Sequence, residues 1–365
     1  MIPQASPCLH IRRYHKAVMA AMQDVIAGDQ YILGAAVADF EAAFARLCGV
    51  RHCVAVNSGT DAVALALVGL GIGRGDEVLT VSMTAPGTAM AICQTGAEPR
   101  FIDIDTTRCL DVNAAAAAIT PRTAAIVPVH FHGYPMDLAP LLDLARKHGL
   151  LVVEDCAHAH GARRNGRHVG SFGNAGAFSF YPTKNLGCIG DGGAIITNDD
   201  RLAEKLRSLR SFPTEMAGKT VGINSRLDAL QAAVLTALLP HLEERNHERV
   251  VFAEQYRQCL GGFDLALPPR HDGAVYHQFA VAADHRDHVR QALLQRGITT
   301  GAHYARPLHR CEAFADYAPE PLPGTDSFAD SVISLPIQPE VLHGRDAFVR
   351  ETVRDVLSRR ARRAA

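Results

Sequence analysis

Between about residues 50 and 200, short apolar runs rich in β-branched residues alternate with longer Ala- and Leu-rich stretches. Runs 53–57, 78–82, 99–104, 124–130 and 150–154 predict strands. Between them, 60–70, 89–94, 113–119 and 138–147 carry helical composition. Strands that read as continuous apolar runs, separated by helices, predict a mostly parallel sheet covered on both faces. Two further short strands are expected at 175–180 and 194–197. The stretch 227–249 predicts a long helix broken or kinked at Pro240. Beyond it, 278–282 and 331–335 predict strands, and 289–296 and 345–358 predict helices. The pattern describes an α/β protein with a large domain over residues 1–249 and a smaller α+β domain over 250–365. Segment 1–30 is a candidate to pack on the smaller domain. There is no internal repeat, and the Ala114 to Ala118 run is helix-forming rather than low in complexity.

Length and composition narrow the class. The chain of 365 residues suits one large and one smaller core, and 48% hydrophobic with 21% charged residues is ordinary for a globular protein. A formal net charge of -1 supplies no field for nucleic acid or an anionic membrane. The terminal Arg359, Arg360, Arg362 and Arg363 read as a solvated helix end. Nine cysteines, an odd number with no C-x-x-C pair, point to reduced thiols and a cytoplasmic setting rather than to disulfides or a zinc knuckle. Residues 1–20 lack the apolar core of a signal peptide, and no run approaches a membrane span.

Four motifs carry chemistry. Asn57-Ser58-Gly59-Thr60-Asp61 joins a strand to a helix, where small residues and a hydroxyl can reach a phosphate, or simply cap the helix. Val152-Val153-Glu154-Asp155 ends a buried strand with an acid, at the edge where α/β sheets bind ligands; Asp155 could hold a ring nitrogen protonated or only cap a helix. Lys184 lies among Ser, Thr and Gly in Ser179-Phe180-Tyr181-Pro182-Thr183-Lys184-Asn185-Leu186-Gly187, an odd place for a surface charge and a suitable one for an imine-forming amine. The glycines of Gly190-Asp191-Gly192-Gly193 are expected to leave room for a flat cofactor. Asn224 and Arg226, before the long helix, could reach an anion or only cap it. The phosphate-binding and dinucleotide glycine fingerprints are absent, and so is H-E-x-x-H. The pairs His130/His132 and His158/His160 would share a strand face, but among 18 histidines they are expected by chance, so no metal is assigned.

Taken in order, these motifs resemble the DegT/DnrJ/EryC1/StrS family of sugar aminotransferases, pyridoxal 5'-phosphate (PLP) enzymes of the fold type I, aspartate-aminotransferase class. Tyr31-Ile32-Leu33-Gly34, Asn224-Ser225-Arg226-Leu227-Asp228, His303-Tyr304, Pro307-Leu308-His309 and Ser334-Leu335-Pro336 extend the likeness over nearly the whole chain. The resemblance implies that Lys184 forms the Schiff base and Asp155 partners the pyridine nitrogen. It puts His158 near the ring oxygen, and Gly59, Thr60 and Ser179 on the phosphate. Asn224 would reach the phosphate of the other subunit's cofactor, which implies a homodimer with shared sites. Tyr181, Arg226, His303, Tyr304 and His309 are the implied substrate contacts. L-glutamate and a keto-sugar nucleotide are the implied substrates, with a 3-keto-6-deoxyhexose on dTDP or another nucleotide as the form the Lys184 segment most resembles. Relatives with His at the lysine position are dehydratases; Lys184 favours transamination.

Two departures stand out. Ala85 occupies the place of the family's ring-stacking aromatic, and His130-Phe131-His132-Gly133 replaces its His-Leu-Tyr-Gly segment. Amination of a keto-cyclitol, a dehydration on the same scaffold and a non-catalytic PLP-binding regulator are the alternatives. A glutamate half-reaction separates an enzyme from a binder.

Overall fold

The computed structural model describes residues 1–211, 222–317 and 321–364, the last six by backbone alone, so the side chains of the terminal arginine run lie outside the described residues. The large sheet has seven strands: β1 (His52–Val56), β2 (Glu77–Val81), β3 (Glu98–Ile102), β4 (Thr123–Val127), β5 (Leu151–Asp155), β8 (Ala175–Ser179) and β9 (Gly193–Thr197), with β6 (Arg163–Arg164) and β7 (Arg167–His168) forming a small separate hairpin. Their order is β1-β9-β8-β5-β4-β2-β3. The pairs β8/β5, β5/β4, β4/β2 and β2/β3 are parallel, and β9 is antiparallel to both neighbours. Two reversals leave β1 and β8 pointing the same way, so β1, β2, β5 and β8 all end at one edge. Val56 and Ser179 stand level there, each paired with Gly193.

This is the expected α/β sheet, and its strands are apolar because both faces are covered. One core packs β1, β8 and β9 against helices Gly34–Cys48 and Ala229–Leu238. Another buries helix Gly59–Leu70, whose Ala62 to Leu67 are all buried. That helix stops at Gly71, where φ of 91° admits glycine cheaply.

The predicted 227–249 helix is two helices, Ala229–Leu238 and Leu242–Leu260, joined by a 3-10 turn at Leu239–His241 that contains Pro240. The second helix runs past 249, and its Phe252, Ala253, Tyr256 and Leu260 enter a separate core with β10 (Phe279–Ala282), β11 (Val332–Leu335) and helix Asp346–Ala364. Residues near the N-terminus divide between these cores. Ile2 donates its N–H to Gly297 (2.6 Å) and is buried in the C-terminal core, whereas Val18 of helix His15–Ala27 is buried in the core of the large sheet. No helix among the described residues is long and apolar enough to cross a membrane.

Candidate active site

The strand ends at the β1/β5/β8 edge open onto a cavity of about 340 Å³. At one side, Ser58 caps helix Gly59–Leu70, its Oγ accepting the Asp61 N–H at 3.1 Å. A Cβ on Gly59 would stand 2.5 Å from Cβ of Ser179, so only glycine lets the helix start come this close to the end of β8. Gly59, Thr60 and Ser179 therefore line the cavity with backbone and hydroxyl donors at the positive end of a helix, a setting suited to an anion. Asp61 accepts from Ser225 Oγ (2.6 Å), which in turn accepts the Asn57 N–H (3.1 Å), tying the 224–228 segment to the same loop.

Asp155 is the last residue of β5. Its Oδ1 accepts the Ala157 N–H (3.0 Å) and its Oδ2 the Thr88 hydroxyl (2.8 Å), which fixes the carboxylate at the cavity wall. Lys184 sits on the loop after β8, closed by the Cys188 N–H to the Phe180 carbonyl (2.9 Å). Its neighbour Asn185 is buried and anchored by Nδ2 to Asn246 (2.9 Å) and to the Val275 carbonyl (3.0 Å). Lys184 keeps some surface open to the cavity, yet the protein around it strips away bulk water. Desolvation pulls its ammonium down to about 8, partly opposed by the negative charge of Asp155. The free amine is thus accessible near neutral pH.

Histidines form another wall. His158 stacks on His277 with ring centroids 4.7 Å apart and planes 20° apart, and burial holds both far below the ordinary imidazole range. Nδ1 of His158 is buried without a hydrogen-bond partner, a polar atom left for something else in the cavity. His303 lines the cavity with Nδ1 2.8 Å from Ser334 Oγ, and the Tyr304 phenol beside it is pushed up by burial.

Gly59, Thr60, Ala85, Asp155, His158, Ser179, Tyr181, Lys184, His303 and Tyr304 come together around this one cavity. Asn224 does not: it is exposed outside the lining. Arg226 is also outside it, and so is His309, whose ring nitrogens meet Ser82 (2.7 Å) and Asp326 (3.0 Å). The glycines at 190–193 serve a different purpose from the one expected. A Cβ on Gly193 would lie 2.2 Å from the Ser58 carbonyl, and those on Gly190 and Gly192 would strike Gln231 and Leu227, so protein fills the space. Thr88, His277 and Gln278 escaped the sequence reading. Thr88 lies four residues after Thr84 on a short helix, and a His-Gln pair before an apolar strand is the only signal for the other two.

His130 and His132 do not share a strand, because β4 ends at Val127 and His132 takes φ of 55° in a 3-10 turn. His130 Nε2 meets Glu154 at 2.9 Å, and its Nδ1 accepts the Met136 N–H (3.1 Å). Glu154 also accepts from the N–H groups of Gly170, Phe172 and Gly173. With Cys156 nearby this group has metal-like spacing, but His130 and Glu154 are saturated by the protein itself.

The sequence profile of the DegT/DnrJ/EryC1/StrS aminotransferase family matches residues 13–354. A dTDP-3-amino-3,4,6-trideoxy-alpha-D-glucose transaminase of Streptomyces venezuelae is 45% identical over 345 residues, covering 92% of this chain and 91% of its own. A UDP-N-acetyl-3-dehydro-alpha-D-glucosamine 3-aminotransferase of Acidithiobacillus ferrooxidans is 41% identical, covering 98% of each chain. The crystal structure of S. venezuelae DesV in complex with a ketimine intermediate superposes with a TM-score of 0.93 at 42% identity, covering 97% of both chains. A donor-lined helix start, a desolvated lysine and a strand-end aspartate share one cavity, and the profile and relatives place the chain in the DegT/DnrJ/EryC1/StrS aminotransferase family.

Proposed function

We propose that this aminotransferase moves an amino group from L-glutamate to a keto-sugar nucleotide, with a 3-keto-6-deoxyhexose on dTDP or a related nucleotide as acceptor. The relatives named for 3-amino sugars support the class and the carbon. One observation carries the reading: Lys184, its ammonium pulled down to about 8 by desolvation, shares a cavity with Asp155 and with an anion cradle. These residues fit PLP. The bare backbone at Gly59 with Thr60 and Ser179 would hold its phosphate, and Lys184 would hold it covalently. Asp155 would keep the ring nitrogen protonated, the unpartnered Nδ1 of His158 would face the ring oxygen, and Ala85 would border a ring face. When bound, PLP supplies an electron sink for the carbon that loses or gains the amine. Lys184 Nζ would hold and release the proton that this exchange moves. Tyr181, His303 and Tyr304 are the proposed substrate contacts.

A homodimer with shared sites belongs to the same reading. Tyr31, Ile32 and Ile189 are exposed apolar residues at the start of helix Ala229–Leu238, and Ile223 is exposed a few residues before it. That surface borders Asn224, which would complete the partner's phosphate site, with Arg226 beside it. The division at 249/250 into two domains and a cytoplasmic setting, in keeping with nine free cysteines, complete the proposal. The test incubates the PLP-loaded enzyme with glutamate and a panel of keto-sugar nucleotides, and reads products by mass and NMR. Amination at C3 of a 6-deoxyhexose is expected. Turnover of keto-cyclitols alone would contradict it.

A further inference from the structure

Gln278, the residue just before β10, lines the cavity beside His303 and Tyr304. Its amide belongs to a directional chain of hydrogen bonds whose polarity is fixed at one end. The Val275 carbonyl can only accept, so the Asn185 atom 3.0 Å from it is Nδ2. Asn185 therefore turns Oδ1 toward Nδ1 of His277, 3.3 Å away, and that ring nitrogen must carry the proton. His277 Nε2 is then the acceptor, and the Gln278 atom 3.5 Å from it is the amide nitrogen. Gln278 consequently points Oε1 at Gln4, whose Nε2 donates to it at 2.5 Å. Gln4 is itself held by its backbone N–H on Thr299 Oγ1 (2.9 Å). Oε1 thus holds the Gln4 amide and one Nε2–H faces His277, which leaves the second Nε2–H as the donor Gln278 has to spare at the cavity.

Taking the proposed reaction as given, we infer that Gln278 Nε2 donates to a sugar oxygen of the amino-group acceptor, and that Gln4 is the positioning residue that sets its orientation. A neutral amide suits a hydroxyl or carbonyl oxygen. A carboxylate such as that of the amino donor would recruit a cation, and Lys184 is the one Lys or Arg lining the cavity among the described residues. The chain also keeps His277 in its neutral Nδ1–H form, because a proton on Nε2 would face the Gln278 amide N–H.

The experiment compares wild type, Gln278→Leu and Gln4→Ala, all loaded with PLP. Gln278→Leu removes the donor at similar volume, and the half-buried Gln4 can be truncated without opening a core. Each variant is expected to raise KM for the keto-sugar nucleotide about three- to tenfold, the loss of one neutral hydrogen bond, with kcat and KM for glutamate changed far less. Imidazole 15N NMR, with His277 signals identified by their loss in His277→Gln, should show His277 protonated on Nδ1 in the wild type, and a shifted Nε2 signal in Gln278→Leu. An Nε2–H tautomer in the wild type would overturn the chain of donors. An unchanged KM for the sugar nucleotide in Gln278→Leu would overturn the substrate contact, and so would an equal or larger rise in KM for glutamate, which would assign the N–H to a carboxylate. Failure of the wild type to convert its cofactor with glutamate would instead refute the aminotransferase reading on which this inference rests.

Discussion

Asp155 receives two hydrogen bonds from different kinds of donor. The Ala157 N–H can only donate, whereas the Thr88 hydroxyl can turn and accept. In Asp155→Asn the amide oxygen can keep Ala157 and the amide nitrogen can face Thr88, so the variant should fold. The missing charge no longer holds the ring nitrogen protonated, and kcat should fall about a hundredfold or more, roughly 3 kcal/mol. Steady-state kinetics with thermal unfolding checks this, and near wild-type turnover would remove Asp155 from its proposed role. Asp155 and Lys184 were legible in the sequence because each is a charge set against an apolar strand, where burial without a purpose is costly. Thr88, His277 and Gln278 were not. Each is an unexceptional residue type whose meaning comes from packing: a helix turn whose hydroxyl reaches the end of β5, and a hydrogen-bond chain spanning 274 positions of sequence.

At the scale of elements, the site depends on how closely helix Gly59–Leu70 approaches β8. Gly59→Ala would push a methyl group into Ser179, which is backbone-anchored at a strand end and cannot swing aside. We expect a loss of about 1–3 kcal/mol in stability. PLP affinity should fall about tenfold, because the phosphate donors move apart. Unfolding curves and a cofactor titration measure both, and an unchanged dissociation constant would show that the anion cradle is misassigned. The alternation of strands and helices was legible in composition, since covered parallel strands are apolar throughout. The helices Pro7–Arg13, His15–Ala27, Gly34–Cys48 and Asp200–Leu209 were not. His15–Ala27 buries only Val18, so its pattern gave little to read. Gly190, Gly192 and Gly193 stand out in the sequence for the wrong reason: glycine signals close approach, but the sequence does not say whether the approaching group is cofactor or protein.

Across the whole molecule, the cavity of one chain lacks Asn224, although the segment that carries it is tied to the anion loop through Ser225 and Asp61. In the proposed homodimer, Asn224 of one subunit reaches the cavity of the other, which makes the shared site testable. Lys184→Ala and Asn224→Asp should each be inactive alone, the second because it sets a like charge beside a phosphate. Mixed and allowed to exchange subunits, they form hybrid dimers with both lesions at one site and neither at the other. About a quarter of wild-type activity should return at equal mixing, since half the dimers are hybrids with one intact site. No rescue after confirmed exchange would refute the shared site.

The central claim is that Lys184 and its cavity form a working transaminase site. It is tested most directly by adding L-glutamate alone to the PLP-loaded enzyme and following the cofactor's absorbance, beside the Lys184→Ala variant. Conversion of the wild-type cofactor to its amine form in one equivalent per chain, with release of 2-oxoglutarate and no such turnover in Lys184→Ala, is the predicted result. A wild-type spectrum that glutamate leaves unchanged, or a Lys184→Ala protein that converts at the same rate, would contradict it.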